Sequence, residues 1–422
     1  MYNIKDYGAV ADGVTLNTAA IQAAIDTCTA SGGGKVIIPA GTWKSGTIWL
    51  KENVELHLEL GATLLASDNM DDYNDIDAFE QNHRVVKTEG WVGKHLLIAL
   101  EITDIAITGL GTIDGNCYAF VDDHLTGGGA YWWRSGITKL KDEEKMRPGQ
   151  LLCFVECKHI EVTGITIHNS PCWSCYFLGC EFVNVRGIKV FNPFNMLNSD
   201  GIDIDTSRFV TVSDCIINTG DDGITLRCCE GKVKDKTMHC EFITVTNCAI
   251  RSTVSGFRIG VGTGTIRHAR FSNLTIDKVS KLIEFNTSYA SNGCAIIEDV
   301  NLSNVSCTDA DRLIKIHADH GGTVRNITLE NIRCETTATS FLRCADGTLE
   351  NINLRNIELY VSDRYETTKP SWITQRGSYL LEVKNGRRIT LDNVRITGTF
   401  SDCKGIFDCE GCENLIKKDC NF

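Results

Sequence analysis

The sequence predicts an all-β fold, a parallel β-helix whose short strands wind into stacked coils, closed at the N-terminal end by one helix. Three observations predict it. From about residue 158, a short alternating strand, a polar corner and a second short strand return every 22 to 33 residues. Helix-favouring runs are scarce, and 38 Gly with many Asn against 5 Pro suit frequent tight corners. Repeats of this length, all strand and corner, bury their apolar face by stacking on their neighbours.

In chain order, residues 1–50 form a cap region. Within it TAAIQAAIDTCTA (residues 18–30) has helical spacing and stops at Gly32-Gly33-Gly34. Its apolar face would cover the open end of the solenoid. Residues 54–60 and 105–109 are early copies of the strand pattern. Residues 116–150 interrupt it with Tyr131-Trp132-Trp133 and the charged run 139–145, and are expected to form an insertion that walls a cleft. Regular copies follow at 159–167, 209–217, 242–250, 324–332 and 348–354. An antiparallel sandwich would need Asn-Gly hairpin turns between strands, which are rare here. A horseshoe of leucine-rich repeats would need a Leu signature, which is missing. A solenoid grows without dividing, so residues 1–422 are read as one domain.

Composition narrows the partners. Net charge is -12 with no basic cluster, so neither nucleic acid nor an anionic membrane is expected. No apolar run approaches a membrane span. The start, Met1-Tyr2-Asn3-Ile4-Lys5-Asp6, lacks a signal-peptide apolar region, so the 20 Cys are expected to be reduced thiols in the cytoplasm. An exported, disulfide-rich protein separated from its leader is the competing reading. Cys215, Cys248, Cys307 and Cys334 recur at matching points of the repeats, as small core residues would. No CxxC pair is matched by a second, which argues against Cys-bound metal.

Two acidic segments carry the chemistry: Asn198-Ser199-Asp200-Gly201-Ile202-Asp203 and Thr219-Gly220-Asp221-Asp222-Gly223-Ile224. In register, Ile202/Ile204, Ile224/Leu226, Phe257/Ile259, Ile283/Phe285 and Ile314/Ile316 point inward. The outward residues then stack as Tyr176, Asp203, Thr225, Arg258, Glu284 and Lys315. Two places earlier lie Trp173, Asp200, Asp222, Ser255, Lys281 and Arg312. Coils about 4.8 Å apart would make Asp200 and Asp222 neighbours, with Asp221 on the turn beside them. Like charges that close repel, so one proton is expected to be retained near neutral pH, giving an acid and a base. Acid-catalysed cleavage of a glycosidic bond needs that pair. An isolated Asp-Gly would be read as an Asx turn. Three carboxylates at one edge, beside Trp173 and Arg258, favour catalysis.

These residues resemble glycoside hydrolase family 28, the polygalacturonase family, over nearly the whole chain. The likeness is carried by Asp6-Tyr7-Gly8-Ala9, Gly32-Gly33-Gly34, Ile38-Pro39-Ala40-Gly41-Thr42, Gly111-Thr112-Ile113-Asp114-Gly115, Trp132-Trp133, Arg147-Pro148 and Asn169-Ser170-Pro171-Cys172-Trp173. The most specific match pairs Asn198-Ser199-Asp200 with Gly220-Asp221-Asp222, similar to the family's Asn-Thr-Asp and Gly-Asp-Asp motifs. The resemblance implies a right-handed parallel β-helix and hydrolysis with inversion. It implies Asp221 as general acid, with Asp200 and Asp222 holding and deprotonating the water. It implies no cofactor and no metal, since water is the only co-substrate.

Two family motifs are missing. Ser255 stands at the His of Gly-His-Gly, and Glu284-Phe285-Asn286 stands where the family has Arg-Ile-Lys. Arg258, one coil before Glu284, could supply a guanidinium for a sugar carboxylate instead, and Lys315 lies one coil after Glu284. Equally, Arg258, Glu284 and Lys315 could form a ladder of alternating charge. Arg227 is either a substrate contact or a partner of the acidic cluster. Trp132, Trp133 and Trp173 either stack on sugars or pack the insertion, Trp173 having the better claim to a sugar. His317-Ala318-Asp319-His320 has the composition of a metal site but reads as surface. The candidate substrate contacts are therefore Asn198, Trp173, Arg227, Ser255, Arg258, Glu284 and Lys315. The expected partner is an acidic or pectin-derived oligosaccharide, cleaved from its end as suits short imported oligomers. A lyase or epimerase on the same scaffold, or a non-catalytic carbohydrate-binding β-helix, are the rival readings.

Overall fold

The computed structural model describes residues 1–75, 79, 85–87, 89–122, 140–289, 293–362, 377–399 and 403–422. The chain falls into two compact bodies, Met1–Asp221 with Gly231–Lys236, and Asp222–Glu230 with Thr237–Phe422.

In the first body three ladders of parallel strands form the walls. One runs Gly34–Ile38, Val54–Leu58, Thr103–Gly109, Lys158–Thr163, Glu181–Arg186 and Arg208–Ser213. A second runs Gly41–Ser45, Ala62–Ala66, Thr112–Asp114, Thr166–His168, Lys189–Phe191 and Ile216–Thr219. The third runs Ile48–Trp49, Leu97–Leu100, Leu152–Val155, Cys175–Leu178 and Ile202–Asp205. Each coil gives one strand to each ladder, so the chain advances by one coil per circuit. That is a parallel β-helix. Inward side chains stack on their own kind, as Phe154 does on Phe177 with ring centroids 5.0 Å apart.

The second body repeats the scheme through Ser255–Gly262, Val279–Asn286, the end of Ile296–Ala318, Ser340–Cys344, Tyr379–Lys384 and Gly405–Glu410. Its strands are longer than the strand-corner-strand pattern suggests. The corner in 324–332 is the single residue Asn331, and Asn273, Asn304, Asn356 and Asn393 turn neighbouring coils in the same way, all five with φ between 50 and 56. Asn tolerates this left-handed conformation better than other non-glycine residues. Their amides also bond in series, Asn304 Nδ2 to Asn273 Oδ1 at 3.2 Å and Asn331 Nδ2 to Asn304 Oδ1 at 3.2 Å. Cys215, Cys248, Cys307 and Cys334 are buried, as the core reading expects.

The helix is Thr18–Ala30. Ile21, Ala24, Ile25 and Cys28 are its buried face, packed on Ile4–Tyr7 and Gly34–Ile38. Of the insertion, residues 123–139 lie outside the described residues, and with them Tyr131, Trp132 and Trp133. Its described parts bridge Val121 to Leu140 and pair Arg147–Pro148 with Trp91–Val92. Trp91–Val92 in turn pairs antiparallel with Val85–Val86. This small sheet is a second excursion from the coils, and two-residue strands leave no periodicity from which to foresee it. No helix among the described residues is long and apolar enough to cross a membrane.

Candidate active site

Asp200 lies just before the strand Ile202–Asp205, and Asp221 just after the strand Ile216–Thr219. Both are buried, and they offer carboxylate oxygens within 4.8 Å of each other. Asp222 is the next residue in the chain and opens the second body. A latch sets the Asp221 corner. A Cβ on Gly220 would come 2.5 Å from the carbonyl oxygens of Met196 and Pro193, so only glycine fits. Gly220 N–H donates to Ser199 Oγ at 3.0 Å, and that hydroxyl donates to Met196 O at 2.8 Å. Thr219 Oγ1 donates to the Asp221 carbonyl at 2.8 Å. Asn198, held at φ 53, gives its backbone N–H to Asp221 Oδ2 at 3.3 Å.

Arg147 supports this corner from below. It is fully buried, and its guanidinium donates to Leu197 O at 2.7 Å, Asn198 Oδ1 at 3.0 Å and Glu89 O at 3.1 Å, and also to Pro171 O. Burial draws its pKa below the ordinary guanidinium value, and nearby acidic groups, Asp221 among them, pull it back. A planar fork that meets several carbonyls at once is a task for Arg rather than Lys.

In the second body Asp222 is gripped at both oxygens. Ser255 N–H donates to Oδ1 at 3.0 Å, and Arg258 Nε pairs with Oδ2. Ser255 Oγ is buried with no hydrogen-bond partner among the described residues. The outward column has the anticipated register, with Arg258 beside Glu284, Glu284 beside Lys315, and Ser255 beside Lys281. Glu284 is the hub. Lys315 Nζ lies 2.8 Å and Lys281 Nζ 3.0 Å from its carboxylate, and Arg258 Nη2 lies 3.6 Å away. Burial would push the Glu284 carboxyl up, but Lys281, Arg258 and Lys315 outweigh it and hold it well below the ordinary carboxylate value. Lys281 is itself drawn below the ordinary lysine value by burial, in spite of Glu284. With three cations around its one carboxylate, Glu284 is held ionised. Arg258 resists burial too: Asp222 and Glu284 raise it well above its ordinary value.

The family model for glycosyl hydrolases family 28 matches residues 28–242, half of the chain. The chain belongs to glycosyl hydrolases family 28. It is 32% identical over 249 residues to the exo-poly-alpha-D-galacturonosidase of Dickeya chrysanthemi, covering 53% of this chain and 41% of that protein. It is 31% identical over 229 residues to a probable polygalacturonase of Vitis vinifera, covering 53% of this chain and 44% of that protein. The chain thus spans less than half the length of these relatives. The family 28 exopolygalacturonase of Yersinia enterocolitica superposes with a TM-score of 0.76 at 21% identity, over 98% of this chain and 77% of that one. That likeness bears on the fold, a right-handed parallel β-helix.

Against the family pattern, several candidates occupy places that the sequence left open. Trp173 presents no face to solvent: it is 4% exposed and packs on Trp91 and Tyr176 with centroids 5.8 and 5.2 Å apart. Its partner Trp91 belongs to the unforeseen excursion. Arg227 is buried in the strand Ile224–Cys228, at the point where the register shifts. Arg258, Glu284 and Lys315 make the contacts of the charge ladder. His317, Asp319 and His320 do not gather as three metal donors among the described residues. His317 Nδ1 instead lies 3.3 Å from Asp319 Oδ2. Two residues were missed as parts of the site. Arg147 stood in the Arg147-Pro148 motif without a role, and Lys281 stood in the second outward column without a partner.

Proposed function

We propose that this family 28 chain is a glycoside hydrolase acting on pectic or related plant oligosaccharides. Asp221 gives its proton to the glycosidic oxygen as the C1–O bond breaks. A water attacks the opposite face of the sugar and loses its proton to Asp200 or Asp222. The single observation that carries this is the nearness of the Asp200 and Asp221 oxygens, within 4.8 Å, because two carboxylates sharing a site divide one proton between them. The Asn198 N–H on Asp221 Oδ2 stabilises the anion left after proton transfer. Exo action is supported by the names of the Dickeya and Yersinia relatives.

A second reading has an observation behind it. Inverting pairs usually stand roughly 6.5–9.5 Å apart and retaining pairs roughly 5–5.5 Å. One oxygen of Asp200 within 4.8 Å of one of Asp221 is compatible with either spacing, so retention through a covalent intermediate is the second reading. Inversion is preferred here because Asp222 follows directly as a third carboxylate available to hold water, as the family likeness implies. Asp221→Asn tests both: hydrolysis of oligogalacturonates and related oligomers should fall by roughly 10²- to 10⁴-fold with the melting curve unchanged. Full activity in that variant would defeat the assignment.

A further inference from the structure

We propose that Cys409 and Cys412 form a thiol–disulfide site, which exchanges with a small-molecule disulfide such as oxidised glutathione while the core cysteines stay reduced. Its chemistry is independent of the hydrolase reading. Of the 20 cysteines, 14 are buried and 6 are partly exposed. Only a thiolate attacks a disulfide, and burial holds thiols such as Cys153, Cys172 and Cys175 above their ordinary value. Among the six partly exposed ones, Cys409 and Cys412 share one corner. The strand Gly405–Glu410 ends there, and Gly411 turns the chain at φ 63, where a Cβ would collide with Asn385 Oδ1. The turn folds Cys412 back on Cys409: its backbone N–H donates to Cys409 Sγ, and the two thiols are hydrogen-bonded. The neighbouring coil fixes both. Cys409 is in register with Val383, and Cys412 Sγ lies 3.5 Å from the Val383 carbonyl oxygen.

Contact alone does not make such a site. Cys307 and Cys334 also stand in register with hydrogen-bonded thiols, but they are 3% and 1% exposed, which shuts out a reagent the size of glutathione. At the 409–412 corner contact and access coincide. Burial first, and then the hydrogen bond with Cys412, push the Cys409 thiol up to about 12, so Cys412 attacks first. Its thiolate bonds to one sulfur of oxidised glutathione and expels the other half as a thiolate, which takes up the proton that Cys412 lost. Cys409 then gives its proton to solvent and attacks the Cys412 sulfur, expelling the second glutathione, which is protonated in turn. Two electrons pass from the two cysteines to the reagent, leaving one bond within the corner and two glutathione thiols.

The test is incubation of the folded full chain with oxidised and reduced glutathione at a series of ratios, followed by acid quenching, unfolding and alkylation. Trypsin releases residues 405–417, which hold Cys409 and Cys412 and no other cysteine. Once oxidised glutathione predominates, that peptide should be two hydrogens lighter and carry no alkyl group, while the peptide of Cys334 stays alkylated. Dithiothreitol before the quench should restore both alkyl groups. Cys412→Ser should leave Cys409 open to alkylation at the same ratios, and the wild-type comparison stands even where that variant fails to fold. Two alkyl groups on peptide 405–417 at every ratio overturn the proposal. So does glutathione held on that peptide without the internal bond, or oxidation of Cys334 at the same ratio.

Discussion

Arg147 has no part in proton transfer, yet it holds the carbonyl of Leu197 and the side chain of Asn198, whose N–H meets Asp221. Removing the guanidinium leaves buried carbonyls unsatisfied, at about 1–3 kcal/mol each. Arg147→Lys should therefore lower the melting temperature and reduce kcat at least tenfold with KM little changed, because the charge remains while the fork is lost. A kcat that recovers fully below the melting transition would reduce Arg147 to a stability role. The nearness of Asp200 and Asp221 could be anticipated because each adjoins a short strand of period two, Ile202–Asp205 and Ile216–Thr219. The Arg258–Asp222 grip was half legible: the outward column was foreseen, but the partner was not, because pairing two places along the strand depends on side-chain reach. Trp173 was misjudged as a sugar platform for a different reason. Its cover comes from residues 85–92, far off in sequence and too short to leave a pattern.

At the scale of elements, the corners decide. The latch of Gly220 on Ser199, Met196 and Pro193 carries Asp221 into place. Gly220→Ala forces a methyl against two carbonyl oxygens and should cost about 1–3 kcal/mol or more. Chemical denaturation should show that loss with activity falling alongside; an unchanged midpoint would mean that the loop yields freely. The helix and the repeating strands of the coils were legible, since their apolar spacing is a local property, while the two-residue strands of the side sheet and the full length of the second body's strands were not. The single-residue Asn corners were legible only as turns. That one left-handed Asn could replace a whole corner depends on its amide finding the next amide along the stack.

At the scale of the whole molecule, the parallel β-helix is the fold shared with the Yersinia enzyme, and the interior of its first body carries a pH limit. His95 is fully buried, with Nδ1 2.8 Å from the Gln150 carbonyl, and burial draws its pKa from 6.5 to about 4. An unfolded chain takes up this proton near pH 6.5, while the folded one resists until about pH 4. Its contribution is thus present above pH 6.5 and is lost as pH falls toward 4, by roughly 3 kcal/mol at most. Melting curves between those limits should be steeper in pH for the wild type than for His95→Gln, and parallel curves would show that His95 titrates normally. The catalytic account itself meets its most direct test in time-resolved proton NMR of a pectic oligosaccharide during the first turnovers. The expected first product is a reducing sugar whose new anomeric centre has the opposite configuration to the bond cleaved. A product of retained configuration, or an unsaturated one, would contradict the account.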